Sequence, residues 1–249
     1  MQNGKKKKIN VPASALPLIN EIGDFRTSMP WRLLRVLGEF VDGWQFLGDI
    51  TRSVTFFGSA RFPENDRWYI EARKLGKMMS LQGYDIITGG GPGIMEAGNR
   101  GVIDAKNEQP HNERIGRSIG LNIQLPYEQR INPYVDEAMG FHYFFTRKVM
   151  MAYSSMAYVY FPGGFGTLDE FFEVINLVEN HKINPDTTII LVGKEFWSQL
   201  LVWFEKYLYE VHKFVPSNPI YQYQLVDTAE EAYEILHKRL KHTKPKRIL

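Results

Sequence analysis

Two periodicities alternate along most of this chain. Ser53–Gly58 reads Ser-Val-Thr-Phe-Phe-Gly, a short run of β-forming residues. Runs of the same kind recur at Tyr84–Thr88, Ser118–Leu125, Phe141–Phe145, Ala157–Phe161, Thr187–Val192 and Tyr223–Val226. Between them the apolar positions fall at helical spacing. The predicted helices begin after Asn65 or Asp66 and reach about Leu81, then cover about Ile94–Ala105, Thr146–Ser154, Thr167–Glu179, Phe196–Val211 and Thr228–Lys241. Residues 126–140 read as a loop punctuated by Pro126, Asn132-Pro133 and Gly140. Strands joined by helices, with connections too long for hairpins, predict an α/β fold. It is a Rossmann-like, mostly parallel sheet with helices on both faces.

The first fifty residues break this rhythm. Residues 1–14 read as a basic tail, with Lys5–Lys8 either a solvated end or a polyanion contact. From Leu16 to Asp49 the pattern is helical in two or three pieces interrupted by Gly38, Gly43 and Gly48. Leu33, Leu34, Val36, Leu37, Phe40 and Val41 form its apolar face. The expected organisation is a tail with a helical extension over 1–50, followed by one Rossmann-like domain over 51–249.

Composition narrows the function. The 30 basic and 28 acidic residues nearly cancel, without the basic excess of a general nucleic-acid binder. There is no cysteine, so thiolate nucleophiles, cysteine metal sites and disulfides are excluded. The six histidines show no H-E-x-x-H spacing, and no metal or cofactor is expected. No apolar run reaches the ~20 residues of a membrane span, and the basic N-terminus lacks the apolar core of a secretory signal. A cytoplasmic protein without a membrane partner is the expectation.

Candidate chemistry gathers where strands give way to helices. Three such turns carry glycine: Gly58-Ser59, Gly89-Gly90-Gly91-Pro92-Gly93, and Gly163-Gly164-Phe165-Gly166-Thr167. In a parallel sheet all three share one edge, where free N–H groups and helix dipoles favour an anion. The spacing is neither G-x-G-x-x-G nor G-x-x-x-x-G-K-[ST], which argues against a dinucleotide and a P-loop triphosphate. A single phosphate fits better. Asp169 and Glu170 follow the last glycine loop. Arg147 and Lys148 open an earlier helix, where the dipole disfavours cations. They are therefore solvent-exposed, or Arg147 is paired with Glu170 or with substrate. Met95, Met150 and Met151 read as core rather than as the lining of a base site.

Gly89-Gly90-Gly91-Pro92-Gly93-Ile94-Met95-Glu96, Thr146-Arg147-Lys148 and Pro162-Gly163-Gly164-Phe165-Gly166-Thr167-Leu168-Asp169-Glu170 together resemble the LONELY GUY (LOG) family. Its members are cytokinin riboside 5′-monophosphate phosphoribohydrolases, and many relatives carry the label "lysine decarboxylase". The resemblance spans roughly residues 53–195. It implies hydrolysis of the N-glycosidic bond of a nucleoside 5′-monophosphate such as AMP, giving free base and ribose 5-phosphate. It places the catalytic arginine on Arg147, the catalytic glutamate on Glu170, and the phosphate loop on Gly163, Gly164, Gly166 and Thr167. Gly58, Ser59, the Gly89–Gly93 glycines, Lys148, Phe165 and Asp169 are the remaining candidates for substrate contact. It also implies a homodimer or higher homo-oligomer. Asp169 stands where many members have Glu, and Asn176 where many plant members have Thr. Glu96, Asn99 and the loop from Pro126 to Tyr134 look like the longer bacterial branch.

Two alternatives stay open, and a third reading is rejected on its chemistry. One is a broader purine and pyrimidine 5′-nucleotide nucleosidase of the same class. Another is a non-catalytic nucleotide or molybdenum-cofactor carrier, which would keep the glycine loops without needing Arg147 and Glu170. The third, decarboxylation, needs a pyridoxal-phosphate lysine with a partner for the ring nitrogen. Lys148 is the sole candidate for that lysine, and it sits beside Arg147 without such a setting.

Overall fold

The computed structural model describes residues 8–10, 28–112, 114–124, 131–215, 223–241 and 243. Its strands are β1 (Lys8–Asn10), β2 (Ser53–Phe57), β3 (Asp85–Thr88), β4 (Ser118–Ile123), β5 (Glu137–Phe141), β6 (Ala157–Tyr160), β7 (Thr188–Val192) and β8 (Gln224–Val226). Its helices are α1 (Met29–Leu47), α2 (Arg67–Leu81), α3 (Ile94–Glu108), α4 (Phe144–Tyr153), α5 (Phe165–Glu179), α6 (Lys194–Trp203) and α7 (Ala229–Leu240). A π-helical stretch, Phe204–Val211, continues α6.

All eight strands form one sheet in the order β1-β5-β4-β3-β2-β6-β7-β8, and every pairing is parallel. The Rossmann-like prediction holds. Period-two alternation explains the two cores. Val54, Phe56, Ile86, Val159, Ile190 and Val192 point to the face covered by α2, α3 and α7. Phe57, Ile87, Tyr158, Tyr160, Ile189 and Leu191 point to the other, with Met150 of α4, Phe171 of α5 and Trp197 of α6. The chain builds β2 to β5 outward on one side of β2, then returns to place β6 on its other side. The β2–β6 boundary is therefore the topological switch point, where such sheets open a crevice at their carboxyl edge.

Several local expectations are corrected. The segment expected to be a solvated tail contributes β1, whose Lys8–Asn10 pairs with Glu137–Met139. An edge strand offers a row of unpaired backbone groups, and even a polar segment can satisfy them. The strand expected at Phe141–Phe145 lies earlier, at Glu137–Phe141, inside the predicted loop, and α4 begins at Phe144. Phe144 and Phe145 are exposed on its first turn. The extension's described part is one helix, not several, and Gly38 and Gly43 lie within it. Its buried residues are Arg35, Glu39, Gly43 and Leu47. Leu33, Leu34, Leu37 and Val41, read as its apolar face, are each more than half exposed. The helical reading of residues 16–27, the loop at 125–130 and most of Lys5–Lys8 lie outside the described residues.

Helices α2 and α3 meet backbone to backbone. A Cβ on Gly76 would lie 2.6 Å from the Gly98 carbonyl oxygen, and one on Gly101 would lie 2.6 Å from the Lys77 nitrogen. Neither neighbour is a side chain that can swing away. Gly101→Ala should therefore cost about 1–3 kcal/mol by overpacking. Urea denaturation should show this as a lower midpoint with an unchanged slope.

Candidate active site

A cavity of about 660 Å³ opens at the switch point. The end of β2, the start of the β3–α3 turn, the first turn of α4 and the first turns of α5 line it. Two backbone bonds hold these strand ends together. Ser59 N–H donates to the Pro162 carbonyl at 3.0 Å, and Ile94 N–H donates to the Ser59 carbonyl at 3.0 Å.

The α5 turn supplies the anion-binding wall. Gly164 is its N-cap residue and offers no side chain for capping. The first intrahelical bond runs from Leu168 N–H to the Gly164 carbonyl at 3.1 Å. The N–H groups of Phe165, Gly166 and Thr167 precede it and have no carbonyl within the helix. All three residues line the cavity. Gly164 and Gly166 have open space where a side chain would stand, so the backbone itself is the surface a ligand meets. Gly163 has a different task. A Cβ there would collide with the Thr167 side chain, so this glycine lets Thr167 tuck under the turn.

Glu170, one turn further, is 6% exposed. Its Oε2 is buried without a hydrogen-bond partner. Burial pushes its pKa from 4.5 up to about 7; Arg147 and Lys148 pull it down, and Glu173 and Asp169 push it up. Arg147 reaches the cavity from α4. Its Nε donates to the Leu121 carbonyl at 2.9 Å. Its guanidinium lies so close to Gly89 that a Cβ there would be 2.7 Å from Nη2. Gly89, which takes no positive φ, thus gives the guanidinium and the Met95 sulfur room to approach. Burial lowers the Arg147 pKa, and the charge of Glu170 opposes this. The two residues feel each other's charge and line one cavity but form no direct ion pair.

The sequence-derived candidates divide accordingly. Gly58, Ser59, Gly89, Arg147, Gly164, Phe165, Gly166, Thr167, Asp169 and Glu170 line the cavity. Gly90, Gly91, Gly93, Lys148 and Gly163 do not. Gly90 takes a positive φ of 73° and its carbonyl accepts the Asn132 N–H at 2.8 Å; Gly91's carbonyl accepts Asn132 Nδ2 at 3.0 Å. Gly93, with φ 67°, sits against the backbone of Ser59 and Ala60. These three shape the turn behind the cavity wall. Fully buried Asn99 braces the same turn, accepting from Thr88 Oγ1 at 2.7 Å and from Asn132 Nδ2 at 3.0 Å. Lys148 is bound to Asp169 at 2.9 Å and to Glu173 at 3.4 Å. Burial lowers its pKa, but the two carboxylates outweigh burial and hold it above the ordinary value.

Sequence reasoning missed Arg61, Phe144 and the cavity role of Met95. Arg61 follows the Gly58-Ser59 turn and is exposed at the cavity, the sole signal being its position two residues after a candidate loop. Phe144 was assigned to a strand, which hid its place on the α4 first turn.

A parallel α/β sheet with a glycine-lined helix start, a buried carboxyl and a partly buried guanidinium at its switch point defines a Rossmann-like protein with a candidate ligand site at that crevice. The family described as "Possible lysine decarboxylase" matches residues 95–236. The chain belongs to this family, the LOG family. It is 27% identical over 147 residues to the pyrimidine/purine nucleotide 5′-monophosphate nucleosidase of Escherichia coli strain K12, which is 59% of this chain and 31% of that protein. The match thus spans about a third of that relative's length. It is 26% identical over 197 residues to a probable cytokinin riboside 5′-monophosphate phosphoribohydrolase of Oryza sativa subsp. japonica, covering 78% of this chain and 74% of the rice protein. Among solved structures, the molybdenum cofactor carrier protein of Chlamydomonas reinhardtii superposes with a TM-score of 0.54 at 20% identity, over 77% of this chain and 99% of that one. The molybdenum cofactor binding protein of Rippkaea orientalis gives 0.52 at 22% identity, over 75% and 94%. At that identity these two similarities establish the fold alone.

Glu170 makes stability depend on pH. Below pH 4.5 its carboxyl is protonated in both the folded and unfolded chain. Between 4.5 and about 7 the unfolded chain releases the proton first, so stability falls as pH rises and levels off above 7. Glu170→Gln removes this titration. From pH 5 to pH 8 wild type should lose on the order of 3 kcal/mol relative to Glu170→Gln. Paired urea melts at the two pH values would measure it, and parallel pH dependences would contradict the assignment.

Proposed function

We propose that this chain is a nucleoside 5′-monophosphate phosphoribohydrolase. It adds water across the N-glycosidic bond, releasing free base and ribose 5-phosphate. The observation that carries this reading is the unpartnered, buried carboxyl of Glu170 one turn inside a helix whose free N–H groups face the same cavity.

In this reading the 5′-phosphate lies against the amides of Phe165, Gly166 and Thr167, where the α5 dipole favours negative charge. That binding energy, remote from the reacting carbon, holds the ribose over Glu170. Breaking the bond between C1′ and the base nitrogen builds positive charge on the sugar. Glu170, once ionised, stabilises that charge and accepts the proton of the attacking water, whose oxygen bonds to C1′. The leaving base takes up a proton at its departing nitrogen. Arg147 favours the ionised form of Glu170 and faces the phosphate–ribose region. Arg61 adds a second cation at the opening. The exposed rings of Phe144 and Phe165 and the side chain of Met95 offer apolar surface to a base. The cavity's volume suits a mononucleotide.

The names of the relatives support the class of reaction. Decarboxylation does not suit these residues. A Schiff-base lysine must lose its proton, whereas two carboxylates hold the proton on Lys148, which is not part of the cavity wall. The exposed apolar row of α1 supports a homo-oligomer. The cytoplasm, where nucleoside monophosphates are abundant, is the setting this activity needs.

The decisive assay incubates the protein with AMP, GMP, CMP and isopentenyl-AMP and measures free base and ribose 5-phosphate. Adenosine, lacking the phosphate, should be a poor substrate. Glu170→Gln should lower kcat by about 10²–10⁴-fold, and Arg61→Ala should raise KM with little change in kcat. For wild type, kcat/KM should rise with pH until about 7, the value to which Glu170 is pushed. Tight nucleotide binding without cleavage would favour a carrier instead. For the oligomer, Leu37→Asp should halve or further reduce the mass measured by light scattering; an unchanged mass would place the subunit contact elsewhere.

A further inference from the structure

The N-terminus of α4, the helix that carries Arg147, is capped from outside the family match. Glu39 lies on α1, whereas that match begins at residue 95. Arg35, Glu39, Gly43 and Leu47 recur every fourth residue and form the buried row of α1, which packs on α4. Glu39 is fully buried. Its Oε1 accepts the His142 N–H at 2.7 Å, and its Oε2 accepts the Tyr143 N–H at 3.3 Å and the hydroxyl of Thr146. Tyr143 is the N-cap residue of α4 and provides no side-chain cap of its own. A carboxylate borrowed from another helix therefore meets donors that the helix start leaves open, and its charge complements the dipole there. One turn further along the row, Gly43 leaves room for Met150, whose sulfur would be 2.7 Å from a Cβ at that position. The row thus grips α4 at two successive turns.

Arg147 is the next residue after Thr146. Its single side-chain hydrogen bond among the described residues is the one from Nε to the Leu121 carbonyl. A small rotation or slide of α4 would break that bond and withdraw the guanidinium from Gly89 and the cavity. We propose that Glu39 is a positioning residue: by capping α4 it holds the guanidinium of Arg147 at the cavity wall. Glu39 does not line the cavity and acts through Arg147. The helical extension is then part of the site's framework.

The kinetic half of the test rests on the phosphoribohydrolase reading, and the spectroscopic half does not. In the full chain, Glu39→Gln keeps the shape and one acceptor oxygen but turns a donor towards Tyr143 and Thr146. Thr146→Val removes one donor and keeps the carboxylate. The Nε–H resonance of Arg147, assigned by its loss in Arg147→Lys, should exchange slowly with water in wild type. Glu39→Gln should accelerate that exchange at least tenfold, with a smaller effect for Thr146→Val. Well below the melting temperature, kcat on AMP should fall about 10–100-fold in Glu39→Gln, with KM changed less than threefold. A lower melting temperature with unchanged Nε–H exchange would overturn the proposal and leave Glu39 a stabilising cap alone. If wild type cleaves no nucleotide, the function reading fails while the exchange measurement still decides the role of Glu39. If Glu39→Gln does not fold, Thr146→Val decides by the same readouts, and wild-type exchange there overturns the proposal.

Discussion

Strands that all run in one direction leave all their carboxyl ends on one edge, and this constraint governs the site. In the eight-stranded sheet it brings the turns after β2, β3 and β6 together although they are far apart in sequence. Each turn must pass from strand to helix in a few residues while its neighbours press close, and glycine meets that demand in different ways. Gly90 and Gly93 supply positive φ. Gly89 and Gly163 make room for Arg147 and Thr167. Gly164 and Gly166 leave the α5 amides uncovered. Among the described residues no helix is long and apolar enough to cross a membrane.

That division also shows how far the chain could be read by eye. The alternating strands and helices were legible because buried parallel strands are runs of Val, Ile, Tyr and Phe. The three glycine turns and the Arg147–Glu170 combination were legible as motifs. What stayed hidden depends on three-dimensional partners. β5 escaped because Glu137-Ala138-Met139-Gly140 lacks the β-branched signature and earns its place by pairing on both sides, with β1 and β4. The buried row of α1 was not legible because it carries two charged positions, Arg35 and Glu39, and a glycine. No periodicity count treats such a row as core. Lys148 looked like a ligand contact until its carboxylate partners were in view, and Arg61 carried no pattern at all.

The central carboxyl illustrates a tension between stability and chemistry. Glu170 is buried deeply enough to favour its neutral form, yet a guanidinium nearby favours the charged one. The opposing influences leave it near neutrality, where a small change in surroundings changes its protonation. Arg147 is in the matching position, a cation withdrawn from water with its Nε tied to a backbone carbonyl. Neither residue is placed where it would best stabilise the fold. Both depend on rigid supports: α5 for one, and α4 with the helix packed against it for the other.

Among the described residues, the two outermost strands, β1 and β8, are each three residues long, while the strands between them have four to six. Each outer strand covers only part of its longer neighbour and presents few backbone groups of its own to the outside. A second sheet approaching either margin finds too short a ladder to lengthen itself upon. Among the described residues, these short margins offer a fully parallel, strongly apolar sheet little ladder for end-to-end growth.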